Sequence, residues 1–463
     1  MKDISLPIHP DSGPKPADLA AFSAKGKPIA RINLQTFGCQ MNEYDSELVG
    51  SILGKEGYAF TENEHQADIV LFNTCAIRET AHTRIYARLG ALVAEKKSRD
   101  NLVVGILGCM AQNLKEELLL KFPAVDFICG PDAYRQLPGL IAGARGLRER
   151  GAAIDLSEYE TYDDIAPTRV SGVNAWIAVM RGCDNFCTFC VVPYTRGRER
   201  SRDPEGIVAE TRRLAGEGYK QVTLLGQNVN SYRYEDTDFA DLMAQVASVE
   251  GIERVRFTSP HPKDFPPKLL ETIAGNDRLC SHIHLPLQAG ATRILKKMNR
   301  DHTREEYLAL VERIRATIPG VSLTTDIICG FPTETDDEFA ETEDVVRQVE
   351  FESAFTFKYS ERHGTIAAKL WNDDVPEEVK SERVTRLVAL QREISLRHHT
   401  QLVGTTQEVL IEGESRKSAA EWKARTDGNS IVVFADPRRR IGDFCHVRIT
   451  EATPNTLLGE SVK

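Results

Sequence analysis

Short apolar runs recur through the first third of the chain, and each closes on a cysteine. Arg31-Ile-Asn-Leu-Gln-Thr-Phe-Gly-Cys39, Ala67-Asp-Ile-Val-Leu-Phe-Asn-Thr-Cys75 and Leu102-Val-Val-Gly-Ile-Leu-Gly-Cys109 read as strands, and helical patterns follow them over Tyr44–Lys55, Arg78–Lys97 and Leu114–Lys121. Strand and helix in alternation predict a parallel-sheet α/β domain over residues 29–147. Ligands gather at the carboxyl ends of the strands in such sheets, so Cys39, Cys75 and Cys109 are expected to converge there. A lone cysteine is usually a small buried hydrophobe, but three at equivalent strand ends point to a three-thiol site. Val125-Asp-Phe-Ile-Cys129 ends a fourth run in the same way, and by position alone Cys129 is eligible as a further ligand.

Residues 148–168 are acidic and poor in apolar positions, which reads as a linker. Six strand patterns follow within residues 169–400: Ala175–Met180, Val222–Leu225, Val255–Thr258, Ile283–Leu287, Leu323–Ile328 and Phe355–Tyr359. Helical stretches such as Pro204–Glu217 and Arg304–Thr317 separate them, predicting a partial (β/α)6 barrel whose top face carries the chemistry. After a long charged helical stretch ending near Thr400, the period falls to two over Gln407–Ile411, Trp422–Thr426, Ser430–Phe434 and Phe444–Ile449, with turns at Gly413, Asp427-Gly428 and Gly442. Residues 401–463 are therefore expected to form a small antiparallel β-barrel of a kind that binds oligonucleotides. The fold class is α/β.

Length and charge narrow the picture. A chain of 463 residues is too long for one core, and none of its apolar runs reaches the ~18 residues of a membrane span. Residues 1–28 are polar and proline-rich without a secretion signal, and read as a disordered tail on a cytoplasmic protein. Ten cysteines in a reducing compartment favour metal or redox chemistry over disulfides. A net charge of -10 argues against a polyanionic partner except at local patches. Arg196, Arg198, Arg200 and Arg202 form one such patch and Arg438, Arg439 and Arg440 another. Each is by default a solvated face, and the second is a candidate for gripping phosphates.

The most reactive pattern is Cys183-Asp-Asn-Phe-Cys187-Thr-Phe-Cys190, three thiols on one loop. Tetrahedral zinc needs a fourth ligand, and Cys280, His261 and His282 lie far from finger spacing. A 4Fe-4S cluster normally takes four thiolates, so three ligands leave one iron open. Gln227, Asn228 and Gln288 lie at strand ends near the predicted groove, where they serve either a cofactor or local capping.

Cys-x3-Cys-x2-Cys resembles the signature of radical S-adenosylmethionine (SAM) enzymes. The resemblance implies that SAM docks on the open iron, that its reductive cleavage gives a 5'-deoxyadenosyl radical, and that Phe189 lies beside the adenosyl group rather than being ordinary core. Thr36-Phe-Gly-Cys39-Gln-Met-Asn-Glu, Asn73-Thr-Cys75-Ala-Ile-Arg-Glu, Gly108-Cys109-Met-Ala-Gln and Val191-Val-Pro-Tyr-Thr-Arg-Gly-Arg-Glu extend the likeness to the methylthiotransferase family, from about residue 30 onward. The C-terminal piece resembles a TRAM domain, a tRNA-binding module. Leu225-Gly-Gln-Asn-Val-Asn-Ser-Tyr232 and Phe357-Lys-Tyr-Ser-Glu-Arg362 are similar to the MiaB-type branch, which acts on tRNA bearing N6-isopentenyladenosine at position 37.

This resemblance implies two 4Fe-4S clusters, a radical one on Cys183, Cys187 and Cys190 and an auxiliary one on Cys39, Cys75 and Cys109, with Cys129 outside both. It also implies a tRNA anticodon stem-loop as substrate, a low-potential electron-donor protein and a monomer. The target adenine C2–H is not acidic enough for a side-chain base near neutral pH, so a carbon radical removes the hydrogen atom. One SAM is expected to provide the methyl group and a second the radical, with sulfur coming from the auxiliary site. Rival readings are a methylthiotransferase for N6-threonylcarbamoyladenosine or for a ribosomal-protein aspartate, a simple radical SAM methylase, and a non-catalytic iron-sulfur or zinc RNA-binding protein.

Overall fold

Every position of the two central strands of the first sheet is buried, the pattern of a parallel sheet covered on both faces. The computed structural model describes residues 28–76, 79–169 and 172–462; the expected tail over 1–28 lies outside them but for Pro28. The chain divides into two units, one of residues up to Ser171 with Val191–Arg200, the other of Gly172–Cys190 with residues from Ser201 on.

In the first unit, β1 (Arg31–Phe37), β2 (Ala59–Phe60), β3 (Ile69–Thr74), β4 (Val103–Gly108), β5 (Phe127–Cys129) and β6 (Gly151–Ala153) form one parallel sheet in the order β2-β1-β3-β4-β5-β6. Helices α1 (Gln40–Lys55), α2 (Glu79–Ser98), α3 (Cys109–Leu114), α4 (Glu116–Lys121), α5 (Leu137–Gly146) and α6 (Val192–Arg196) complete it. The expected βα units are all present. The two added edge strands are too short to leave a periodic signal.

The stretch 148–168 is not a free linker. Gly151–Ala153 pairs in parallel with β5, and Tyr162 is fully buried. Its hydroxyl donates to the Pro131 carbonyl at 2.9 Å and accepts from the Tyr134 amide at 3.1 Å, and the two tyrosine rings stack at 5.9 Å. Thr168 donates its amide to Ser51 Oγ at 2.7 Å. One aromatic anchor and backbone hydrogen bonds hold a segment whose composition gives no hint of a core.

The arginine run after the cysteine loop is not a solvated face either. Within the first unit, Arg196 pairs with Asp45 at 2.7 Å and Arg200 with Asp132 at 3.0 Å, all four side chains buried. Arg202, in the second unit, pairs with Glu210 at 3.0 Å. Of the four arginines only Arg198 is exposed. Their acidic partners are remote in sequence or hidden in a helix, so charge clustering alone misplaces these side chains.

The second unit opens with six parallel strands: β7 (Asn174–Ala178), β8 (Gln221–Leu225), β9 (Arg254–Phe257), β10 (His282–His284), β11 (Ser322–Cys329) and β12 (Ser353–Lys358). They form two three-stranded sheets, β9-β8-β7 and β10-β11-β12, connected by one parallel bridge between Val255 and Leu279. Helices α7 (Pro204–Gly216), α8 (Phe239–Ala247), α9 (Pro267–Ala274), α10 (Thr292–Lys297), α11 (Arg304–Thr317) and α12 (Asp336–Val349) intervene, giving the expected partial barrel. Local chemistry starts several of them: Thr303 with Glu306, and Thr335 with Glu338, form reciprocal capping boxes.

After α13 (Ile366–Leu370), the long α14 (Glu377–Gln401) buries Leu387 and Ile394 in the core of this unit and adds polar contacts. Gln391 donates to the Phe351 carbonyl at 2.7 Å, and Arg383 pairs with buried Glu334 at 2.8 Å. The C-terminal strands β13 (Thr406–Glu414), β14 (Trp422–Thr426), β15 (Ile431–Ala435), β16 (Phe444–Ala452) and β17 (Leu457–Ser461) close into a barrel, β13-β14-β15-β17-β16, antiparallel as expected except where β15 pairs with β17 in parallel. Alternate residues such as Val409, Ile411, Val432, Phe434, Val447 and Ile449 fill it. Arg256 of β9 donates to the Thr426 and Asp427 carbonyls, both at 2.8 Å, and so seats this barrel on the strand array. No helix among the described residues is long and apolar enough to cross a membrane.

Candidate active site

Strand register explains the first set of thiols. β1 and β3 pair through Phe37 and Thr74, and β3 and β4 through Thr74 and Gly108. Cys75 and Cys109 each stand one residue beyond these terminal pairs, and Cys39 stands two beyond Phe37. The three are thus delivered by three adjacent strands to one edge of the sheet. Cys129 is different. It is level with Leu107 in the register, two residues short of Cys109, or roughly 6–7 Å back along the strand. It is fully buried, and its thiol faces its own neighbour, the Gly130 carbonyl, at 3.7 Å.

The residues around these thiols are fitted to them. Cys39 caps α1, and Asn42 Oδ1 accepts from its amide at 3.3 Å and its thiol at 3.4 Å. Asn42 Nδ2 donates to Asn73 Oδ1 at 3.1 Å, and Asn73 Nδ2 returns a bond to the Asn42 carbonyl at 2.8 Å. Burial pushes the Cys109 thiol above its usual pKa; Arg196 pulls it down, and neighbouring Cys39 and Asp45 push it up. The glycine before Cys109 is required: Gly108 has φ +83, and a Cβ there would meet Asn73 Oδ1 at 2.4 Å and the Thr74 carbonyl at 3.0 Å. Gly108→Ala is expected to cost about 1–3 kcal/mol, the usual range for strain at such positions. Its thermal melting point should fall, and iron should be lost from this thiol set while the Cys183 loop still loads.

The second set lies on the loop after β7. Gln227 Oε1 accepts from the Gly182 amide at 2.6 Å and so fixes the entry to the loop. Residues just past α10 clamp its middle. Asn299 Nδ2 donates to the Asn185 carbonyl at 2.9 Å and the Phe186 carbonyl at 3.2 Å, where Phe186 has φ +47. Thr188 donates its amide to the Met298 carbonyl at 3.0 Å and its hydroxyl to the Lys297 carbonyl at 2.8 Å. Arg300 Nη1 lies 3.5 Å from Cys187 Sγ. Cys183 and Cys187 are buried and Cys190 is partly exposed. Nothing in the sequence pattern marked Asn299 or Arg300; the signal was at most a basic run from Arg293 to Arg300.

The remaining expected cofactor residues are in the same unit. Phe189 packs partly buried against the cluster that contains Ala289, Phe331 and Tyr359. Asn228 donates to Asp264 Oδ2 at 2.9 Å. Gln288, past β10, has φ +70 and is bonded through its backbone to Asp326 and Ile328, each at 2.8 Å. Beside the loop opens a shallow cleft of about 530 Å³, lined by Phe186, Lys296, Lys297 and Trp371 among others. Lys297 Nζ lies 5.1 Å from the Trp371 ring centroid.

Arg438, Arg439 and Arg440 lie between β15 and β16. Arg438 makes a two-pronged pair with Asp436, both contacts 2.9 Å, and Arg439 approaches the same carboxylate at 3.6 Å. Arg440 is exposed. The patch is therefore less positive than its sequence suggests.

Both thiol sets suit a cluster in chemistry and number, and each has a guanidinium beside one thiol. Among the described residues no three His, Cys, Asp or Glu side chains gather about one point as for a single ion. Four-iron clusters take thiolates on separate irons, so their ligands need not converge in that way.

Three family matches lie along the chain. Residues 177–346 match the Radical SAM superfamily, 31–130 the family described as Uncharacterized protein family UPF0004, and 400–462 the TRAM domain. The tRNA-2-methylthio-N(6)-dimethylallyladenosine synthase of Chloroherpeton thalassium is 49% identical over 94% of this chain and 96% of its own length. The proteins of the same name from Phocaeicola vulgatus and Porphyromonas gingivalis are 47% and 44% identical, each over 95% of this chain and 98% and 97% of their own lengths. Among solved structures, the radical SAM methyltransferase TsrM from Kitasatospora setae superposes with a TM-score of 0.56 at 14% identity, covering 73% of this chain and 77% of that one, a likeness of fold alone. With such identity to its relatives over nearly its whole length, the chain belongs to the tRNA-2-methylthio-N(6)-dimethylallyladenosine synthase family of radical SAM methylthiotransferases.

Proposed function

We propose that the protein converts N6-isopentenyladenosine, the dimethylallyl form, at position 37 of tRNA to its 2-methylthio derivative. The observation that carries this reading is the presence of two separate three-thiol sets, one on a loop and one at three adjacent strand ends. A simple radical methylase has no use for the second set, and a non-catalytic RNA-binding protein has no use for a loop that leaves an iron open. When bound, the clusters and SAM supply the radical, the sulfur and the methyl group.

The chain's own part is positional. Gln227, Asn299 and Thr188 hold the Cys183 loop in one conformation. Asn42, Asn73 and Gly108 hold the strand-end thiols. Phe189, Asn228 and Gln288 are assigned to the SAM-facing side, and the barrel of residues 401–463 to the tRNA. The cleft with Lys296, Lys297 and Trp371 offers charge for phosphate and a face for a splayed base. The partners are an anticodon stem-loop and a low-potential electron-donor protein, acting on a cytoplasmic monomer.

The test is anaerobic turnover of reconstituted protein with a reductant, methyl-labelled SAM and an isopentenylated stem-loop. Mass spectrometry of the digested nucleosides should find one added methylthio group carrying the label, with 5'-deoxyadenosine released. Release of 5'-deoxyadenosine without the mass gain would redirect the reading to the threonylcarbamoyl or ribosomal substrates. Replacing Arg438, Arg439 and Arg440 together by Ala is expected to weaken stem-loop binding and flatten its salt dependence. The Asp436 pairing limits the loss in salt slope to about one or two phosphate contacts.

A further inference from the structure

The interior beside the Cys183 loop holds a positive charge with no carboxylate among the described residues to balance it. Arg300 is only 8% exposed. Its Nη1 donates to Cys187 Sγ at 3.5 Å and its Nη2 to the Pro286 carbonyl at 3.3 Å. Its Nε has no partner among the described residues, and no Asp or Glu among them pairs with it. Buried Arg196, Arg200, Arg202 and Arg383 each have a carboxylate. The nearby imidazoles add no charge: burial first, then Arg300, pushes His302 down to about 3, and burial with the same guanidinium lowers His261.

A buried cation without a counter-ion is costly. Of the two groups among the described residues to which Arg300 donates, the Cys187 thiol is the one that can become negative, and it becomes so on ligating metal. Resting on the radical-cluster reading above, we propose that Arg300 is a tuning residue: its guanidinium is the counter-ion of the Cys187 thiolate and raises the potential at which the radical cluster accepts its electron. The donor's single electron takes a three-thiolate cluster from one net negative charge to two, and no bond in the protein changes. A fixed cation in a low-dielectric interior stabilises the more negative state more. Hydrogen bonds to ligand sulfurs are among the features that set such potentials.

Two measurements on Arg300→Met decide the matter. The first is the ambient potential at which the SAM-sensitive electron paramagnetic resonance signal of the dithionite-reduced holoprotein is half developed. At fixed potential the reduced-to-oxidised ratio should fall about tenfold, equal to ~59 mV for one electron, while Arg300→Lys retains most of the wild-type value. The second is thermal melting of the cluster-free chain. Because Arg300 has no anion there, Arg300→Met should melt at or above the wild-type temperature. A wild-type potential in Arg300→Met overturns the proposal. So does a cluster-free variant that melts much lower or fails to fold, which makes Arg300 a structural prop. If the wild-type chain shows no SAM-sensitive signal, the radical-cluster reading itself falls, an outcome distinct from either.

Discussion

Cys187→Ala is expected to abolish both 5'-deoxyadenosine release and methylthiolation, whereas Cys109→Ala is expected to abolish methylthiolation alone. Both substitutions should lower iron from about eight to about four per chain, since each removes one of two four-iron sites. The two thiols differ in what surrounds them. Cys187 lies on a loop clamped by Asn299 and Thr188 within the second unit, and Cys109 follows a strand end in the first. Different hydrogen bonds hold the two sets, so each is expected to be lost while its counterpart persists. Iron content, 5'-deoxyadenosine and modified nucleoside, measured on the same samples, give three independent readouts. Loss of 5'-deoxyadenosine in Cys109→Ala would mean that the two sets do not act separately.

The second large effect concerns stability. Asp45 is fully buried, accepts from the Tyr134 hydroxyl at 3.2 Å and pairs with Arg196 at 2.7 Å. Asp45→Ala leaves Arg196 inside the protein without a carboxylate, a change that typically costs about 3–5 kcal/mol. For a unit of this size, melting should fall by roughly 10 °C, at about 2–4 °C per kcal/mol. Replacing both partners, Asp45→Ala with Arg196→Met, should recover much of that loss, because removing a whole buried pair is often nearly neutral. If the double variant melts as low as the single, the charge pair is not what holds this region.

Much of this was legible in the sequence because it depends on period and position. Apolar runs ending in Cys39, Cys75 and Cys109 gave the strands and their shared edge, and register then separated Cys129 from them. The six barrel strands and four of the five C-terminal strands were visible for the same reason. What escaped depends on pairing across long separations. Polar composition hid Tyr162, whose burial makes residues 148–168 part of the first unit. The run from Arg196 to Arg202 looked solvated because Asp45 and Asp132 are 151 and 68 residues away from their partners. Gln227 accepts from the Gly182 amide and so fixes the loop, a role its strand-end position did not reveal. Arg300 carried no signal beyond its charge.

Val191–Arg200 belongs to the first unit although the chain has already entered the second by Gly172. On the ribosome, a nascent chain stopped at Ser171 contains all six strands of the first sheet, yet Asp45 and Asp132 still await Arg196 and Arg200. Domains generally fold as units during synthesis, the N-terminal one first. Here that order is delayed: the first unit cannot finish until the cysteine loop and the ten residues after it have emerged. A fragment truncated at the apparent domain boundary would thus carry two buried carboxylates without their cations, and would be a poor candidate for independent expression.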